Sequence, residues 1–75
     1  MSALQNARMR AGLSQGKLAE ASGVKLRAIQ AYEVNDRTTD KALLETLCDL
    51  AIACGCTLFD ILENDDLKEK LRRCI

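Results

Sequence analysis

Histidine, proline and tryptophan are absent from this chain of 75 residues, and its aromatic side chains are one tyrosine and one phenylalanine. Without histidine, the commonest general base is missing, and no Ser or Cys sits beside another recognisable base; no phosphate-cradling glycine-rich loop is present either. The sequence therefore gives no catalytic residue and no support for an enzyme. Without proline, no helix is interrupted, and β-branched residues are sparse, so the chain reads as all-α. With 48% apolar residues but almost no aromatics, the core must be aliphatic, and at this length it is one small domain near the lower size for a single core without staples. Long apolar runs are lacking too. The longest uncharged apolar-rich stretch, Leu50 to Phe59, is about half of the ~20 residues needed to span a bilayer. The N-terminus carries no basic run followed by an apolar core, so no signal peptide is expected and a cytoplasmic location is.

Four cysteines are present: Cys48, Cys54, Cys56 and Cys74. Structural zinc draws on Cys-x2-4-Cys pairs or Cys/His sets, whereas a single residue separates Cys54 from Cys56. No metal and no disulfide is expected. The thiols read as reduced, small apolar core residues, with Cys74 near the end exposed.

The most informative segment runs from Gln15 to Tyr32. Leu18, Ala19 and Ser22 share one face of a short helix. Gly23 follows, a residue that takes positive φ without a Cβ penalty and so turns the chain sharply. Val24 restarts the apolar pattern, and Ile29 and Tyr32, three apart, give a second helix from about Lys25 an apolar seam. Ala19 is the small residue that lets the two axes cross closely, toward the short end of the roughly 8 to 10 Å range. The segment reads as a helix-turn-helix.

On these residues the chain resembles the Cro and lambda-repressor type of helix-turn-helix DNA-binding domain, the XRE family. Arg10, Ala11, Gly12, Leu13, Ser14 and Gln15 resemble the approach to the family's second helix, continued by Lys17, Leu18 and Ala19. Gly23, Val24, Ile29 and Glu33 resemble its turn and third helix, and Leu50, Ala51, Gly55, Asp60, Ile61 and Leu62 its closing helices. Arg8 and Glu33 fall where several members pair an arginine of the first helix with a glutamate ending the third. Cys54 and Cys56 stand where the family usually has aliphatic residues. The resemblance implies a compact five- to six-helix bundle with the helix-turn-helix as helices 2 and 3.

Caps and stripes place the elements. Ser2 caps a first helix from about Ala3 to Ala11, with Leu4, Ala7, Arg8 and Ala11 on one stripe, and Gly12 ends it; Ser14 caps the second. The third runs to about Glu33, and Asn35 replaces the family's helix-ending glycine. Asp40 caps a fourth helix to about Cys54 whose stripe is Leu43, Leu44, Leu47, Leu50 and Ala51, stopped by Gly55. Thr57 caps a short fifth helix with Phe59, Ile61 and Leu62. Asn64 caps a helical tail, with Asp65 and Asp66 at the positive end of its dipole and Lys70, Arg72 and Arg73 near the negative end. The domain is 1–64; the tail, 65–75, is a candidate dimerisation element through Leu67, Leu71 and Ile75, a stripe that equally suits covering the domain's own core.

Formal net charge is zero, unlike the basic balance common in DNA-binding domains. The distribution is uneven: residues 1–37 hold six cations against three anions, and residues 38–75 five against eight. The helix-turn-helix half is the basic half, free to face phosphate.

Setting Ile29 and Tyr32 toward the core turns Arg27, Gln30, Ala31 and Val34 outward at 100° per residue. By resemblance, Leu26, Arg27 and Ala31 approach base edges and Gln15 clamps a phosphate; Lys25 and Arg37 add phosphate charge. Arg27 suits guanine, Gln30 adenine, and Leu26 and Ala31 only thymine methyls. The plainer readings are solvated charge for Arg27, Lys25 and Arg37, gap-filling for Leu26 and a helix-start role for Gln15; Arg8 and Glu33 read as a structural ion pair. Two functions follow. One is a sequence-specific transcriptional regulator of prokaryotic or phage type, most simply a repressor, binding double-stranded DNA as a homodimer, with no cofactor, no small-molecule ligand and no membrane partner. The other is a protein-interaction module of the same fold, antitoxin- or antirepressor-like, with weak or no DNA affinity.

Overall fold

Glycine and hydroxyl side chains punctuate the chain where local chemistry requires. In the computed structural model, which describes residues 2–34 and 42–75, six helices follow one another: α1 (Ala3–Arg10), α2 (Gln15–Ser22), α3 (Leu26–Glu33), α4 (Leu44–Cys54), α5 (Leu58–Ile61) and α6 (Asp65–Cys74). The readings made for Asn35, Arg37 and Asp40 lie outside the described residues. Among those described there is no strand, as an all-α fold requires.

Ser2 Oγ accepts from Gln5 N–H and Ser14 Oγ from Lys17 N–H, satisfying one orphan amide at each of the first two helix starts. Gly23 closes α2 at φ 74° and Gly55 closes α4 at φ 66°, left-handed conformations that would strain any Cβ-bearing residue. At Thr57, the amide and hydroxyl both meet Asp60 Oδ2, at 2.9 and 3.0 Å, closing a capping box around the four-residue α5. These two bonds hold the Asp60 carboxyl below its ordinary value. Asn64 Oδ1 accepts from Asp66 and Leu67 N–H and starts α6.

Helices this short are marginal alone and hold because their apolar faces pack. Leu4 and Ala7 of α1, Leu18 of α2, Ile29 and Tyr32 of α3, Leu47, Leu50, Ala51 and Cys54 of α4, and Ile61 with Leu62 form one core. α2 packs on α3 and α4, and α1 bridges α3, α4 and α5. Ala19 is half-buried against this core.

Several stripe positions differ from expectation. Ala11 is exposed and is the C-cap of α1, one residue past the packed face. α4 begins at Leu44, not near Asp40: Ala42 and Leu43 are outside the helix, and Leu43, which cannot cap with its side chain, is the N-cap. Leu43 and Leu44 are 77% and 64% exposed, because the stripe counted from sequence continues past the point where the helix meets neighbours. Cys56, beyond the Gly55 turn, is half-buried and packs against the core. In α6, Leu67 and Leu71 pack on the domain's own core while Ile75 is exposed. Arg72 lies 5.4 Å from the Phe59 ring centroid, tying α6 to α5.

Candidate nucleic-acid interface

The orientation of α3 is fixed by what it buries. Ile29, Tyr32 and Glu33 are the buried residues of this helix, an unusual set because it includes a carboxylate. Glu33 is accommodated by a fork: Arg8 Nε donates to Oε2 at 2.7 Å and Arg8 Nη2 to Oε1 at 3.0 Å. Arg8 Nη1 also donates to the Leu13 carbonyl at 2.8 Å, and Gln15 Nε2 to Glu33 Oε1 at 3.0 Å. The Arg8 and Glu33 side chains are only 12% and 3% exposed. This exceeds an exposed surface pair in consequence, since a buried charge left without its partner is costly. The guanidinium's pKa is raised by the hydrogen bond to Glu33, which outweighs the opposing effect of burial. The Arg8–Glu33 pair therefore joins α1, the α1–α2 loop, the start of α2 and the end of α3.

With that face inward, the opposite face of α3 is open. Arg27 and Gln30 are exposed, Leu26 is 42% exposed, Val34 is 72% exposed, and Ala31 is half-buried. Arg27 and Gln30 thus present a planar fork of donors and a donor–acceptor amide to solvent, the two side-chain types that bond guanine and adenine edges bidentately. Leu26 and Ala31 offer only methyl groups. Lys25, exposed, is the N-cap of α3 and makes no side-chain cap bond, which sets its charge at the positive end of that helix. Gln15 stands at the first position of α2, after the Ser14 cap. One amide hydrogen is committed to Glu33, and the second N–H of the same nitrogen is the side chain's other donor. Arg37 is outside the described residues. The structure brings Lys25, Leu26, Arg27, Gln30 and Ala31 onto one helix and ties Gln15 to that helix's last residue.

Sequence reasoning did not foresee the Gln15–Glu33 bond or the role of the Leu13 carbonyl. Both are contacts between distant positions; the only signal in the chain was the coincidence of a glutamine at one helix start with a glutamate ending the next. Elsewhere, no three His, Cys, Asp or Glu side chains converge as a metal site among the described residues, and no described helix is long and apolar enough to cross a membrane.

Comparison with known proteins gives the family. Residues 4–61 match the family described as helix-turn-helix, a range that holds α2 to α5 and all of α1 but its first residue. A protein of Methanocaldococcus jannaschii, whose name describes an HTH-type transcriptional regulatory protein, is 37% identical over 71 residues, covering 91% of this chain and 22% of that protein. The chain thus spans about a fifth of the length of the curated relative it matches. No solved structure matches significantly.

Proposed function

The chain belongs to the XRE-type helix-turn-helix family of transcriptional regulators, and from that membership we propose that it is a sequence-specific repressor that reads DNA with α3 in the major groove. The observation that carries this reading is the division of α3 into a buried face anchored by Glu33 and an open face bearing Arg27 and Gln30. A recognition helix needs both: a fixed angle on the scaffold, and side chains that reach base edges from its N-terminal half. In this reading Arg27 bonds guanine O6 and N7, Gln30 bonds adenine N6 and N7, and Leu26 and Ala31 touch thymine methyls.

Phosphate contacts set the register. Lys25 supplies charge beside the open amides of α3, and Gln15, held by Glu33, meets a phosphate at the start of α2; Arg37 adds charge from the segment that follows α3. Because Gln15 and Arg8 share one carboxylate, the position of the clamp is coupled to the angle of the reading helix. The neutral net charge makes binding depend on where the cations lie, with the acidic C-terminal half turned away from DNA.

Two copies bound to half-sites about one DNA turn apart, roughly 34 Å, would give a near-palindromic operator. The tail from residue 65 is the proposed dimerisation element, through the exposed Ile75 end and the outer edge of Leu67 and Leu71.

The test is selection of genomic fragments by purified protein at about 50 and 200 mM salt, between which phosphate-dominated affinity falls steeply. An enriched near-palindrome that persists at the higher salt is the expected result. No enrichment at either salt refutes the reading and favours a protein-interaction module of the same fold, antitoxin- or antirepressor-like.

A further inference from the structure

Leu43 occupies a position where neither capping nor the core accounts for a leucine. It is the N-cap of α4, at φ −61° and ψ 141°, and makes no side-chain cap bond; Ser, Thr, Asp and Asn are strongly preferred there because they bond the free amides of the first turn. Nor does it enter the core, since it is 77% exposed. The residues on either side of it, Ala42 and Leu44, line an apolar groove of about 180 Å³ whose far wall is Leu67 and Leu71 of α6. Every side chain lining this groove is a leucine or an alanine. An apolar cavity of roughly 150 Å³ takes up a benzene-sized molecule, so the groove has room for one leucine side chain. Its α6 wall lies beyond residue 61, where the match to the helix-turn-helix family ends.

We propose that the occupant is Leu43 of a second copy of this chain: about a two-fold axis, each copy inserts its Leu43 into the other's groove. A knob beside its own hole is what such an axis requires, because an isologous interface uses the same patch on both subunits. Charge selects this partner. Glu45, next to Leu44, and Lys70 of α6 are both exposed, and neither has an ion-pair partner among the described residues. Arg72 lies over the Phe59 ring, so its flank of α6 is turned to α5; Lys70, about 160° round the helix from it, edges the flank toward α4. The groove therefore has an acidic bank and a basic bank. The two-fold sets each Glu45 against the partner's Lys70, giving two complementary pairs at the polar rim of an apolar centre. This inference rests on the dimeric reading of the regulator and adds the start of α4 to the tail as the second half of the interface. It is tested without DNA, so its failure leaves α3 as the reading helix, and failure of the fragment selection leaves this interface standing.

The test is sedimentation equilibrium of the full chain, with circular dichroism to confirm the fold of each variant. The parent is expected to be a dimer. Leu43→Asp gives α4 the cap it lacks, so the helical content of the chain should hold or rise while association weakens by at least ~100-fold, because a leucine is lost from both grooves at once. Glu45→Lys and Lys70→Glu should each weaken association by about tenfold. An equal mixture of these two variants should associate as the parent does, since both rim pairs are then of opposite charge again, and only a contact between copies is restored by mixing. A parent that stays monomeric at about 1 mM, association unchanged by Leu43→Asp, or a mixture no better than its components overturns the proposal.

Discussion

Removing Arg8 should be among the most damaging single changes in this chain. Arg8→Ala deletes two bonds to Glu33 and one to the Leu13 carbonyl, and leaves a carboxylate that is 3% exposed with the Gln15 amide as its remaining side-chain donor among the described residues. Breaking a buried ion pair from one side costs about 3–5 kcal/mol, against roughly 0–1 kcal/mol for an exposed pair. At ~0.05–0.15 kcal/mol per residue, a chain of this length is stable by about 4–11 kcal/mol, so the loss is a large share of the whole. In this size class each kcal/mol lowers the Tm by roughly 4–8 °C, which places the expected fall above about 12 °C. Arg8→Lys keeps the charge but not the fork and should fall between. The double variant Arg8→Met, Glu33→Leu removes both charges and should be more stable than Arg8→Ala alone, because no unpaired carboxylate is left buried. Urea denaturation followed by circular dichroism, run as a double-mutant cycle, measures all of these. A cost below ~1 kcal/mol for Arg8→Ala, or a double variant that loses the sum of the singles, refutes the claim that Glu33 is held by this pair.

Other expected outcomes are more local. Gly23→Ala forces a Cβ onto φ 74° in otherwise open space, and should cost about 1–2 kcal/mol through backbone strain alone, read as a lower urea midpoint with an unchanged slope. Asp60 has a folded-state pKa below its ordinary value of 3.8, so its contribution is present above that value and is lost as pH falls through the lower, folded one; the stability difference between the parent and Asp60→Asn should therefore vanish in acid, and a difference that persists or grows there contradicts the capping box. In thiol labelling of the native chain, exposed Cys74 should react first and buried Cys54, whose thiol is pushed up by burial, last. Peptide mapping showing Cys54 labelled as fast as Cys74 would contradict that order.

Much of the fold was legible because its signals are local. Ser2, Ser14, Thr57 and Asn64 cap by reaching amides two or three residues away, and Gly23 and Gly55 turn the chain by virtue of their own backbone, so adjacent residues carry the whole message. The burial of Leu18, Ile29, Tyr32, Leu47 and Leu50 likewise follows from spacing on one helix face. What escaped is non-local. Leu43 and Leu44 fit the apolar count of α4, yet they stand largely exposed, and only the packed structure reveals that. The Gln15–Glu33 bond joins residues whose nearness depends on the angle between two helices, which no periodicity encodes. The pair Arg8 and Glu33 was readable as positions, but its weight depends on burial, and burial of a charge is not a property of the residues themselves. Cys54 and Cys56 were readable as apolar filler because they stand at apolar positions of the pattern: Cys54 lies in the core and Cys56 packs against it.

The central claim, that α3 reads base edges, is tested most directly by Arg27→Ala on a duplex obtained by the selection described above and on a scrambled duplex of equal length, with affinities from fluorescence anisotropy across a salt series. Loss of a bidentate guanine contact should cost about 1–3 kcal/mol on the selected duplex and little on the scrambled one, with the salt slope barely changed. Equal weakening on both duplexes, or none on either, would contradict the assignment of Arg27 and with it the account of α3 as the reading helix.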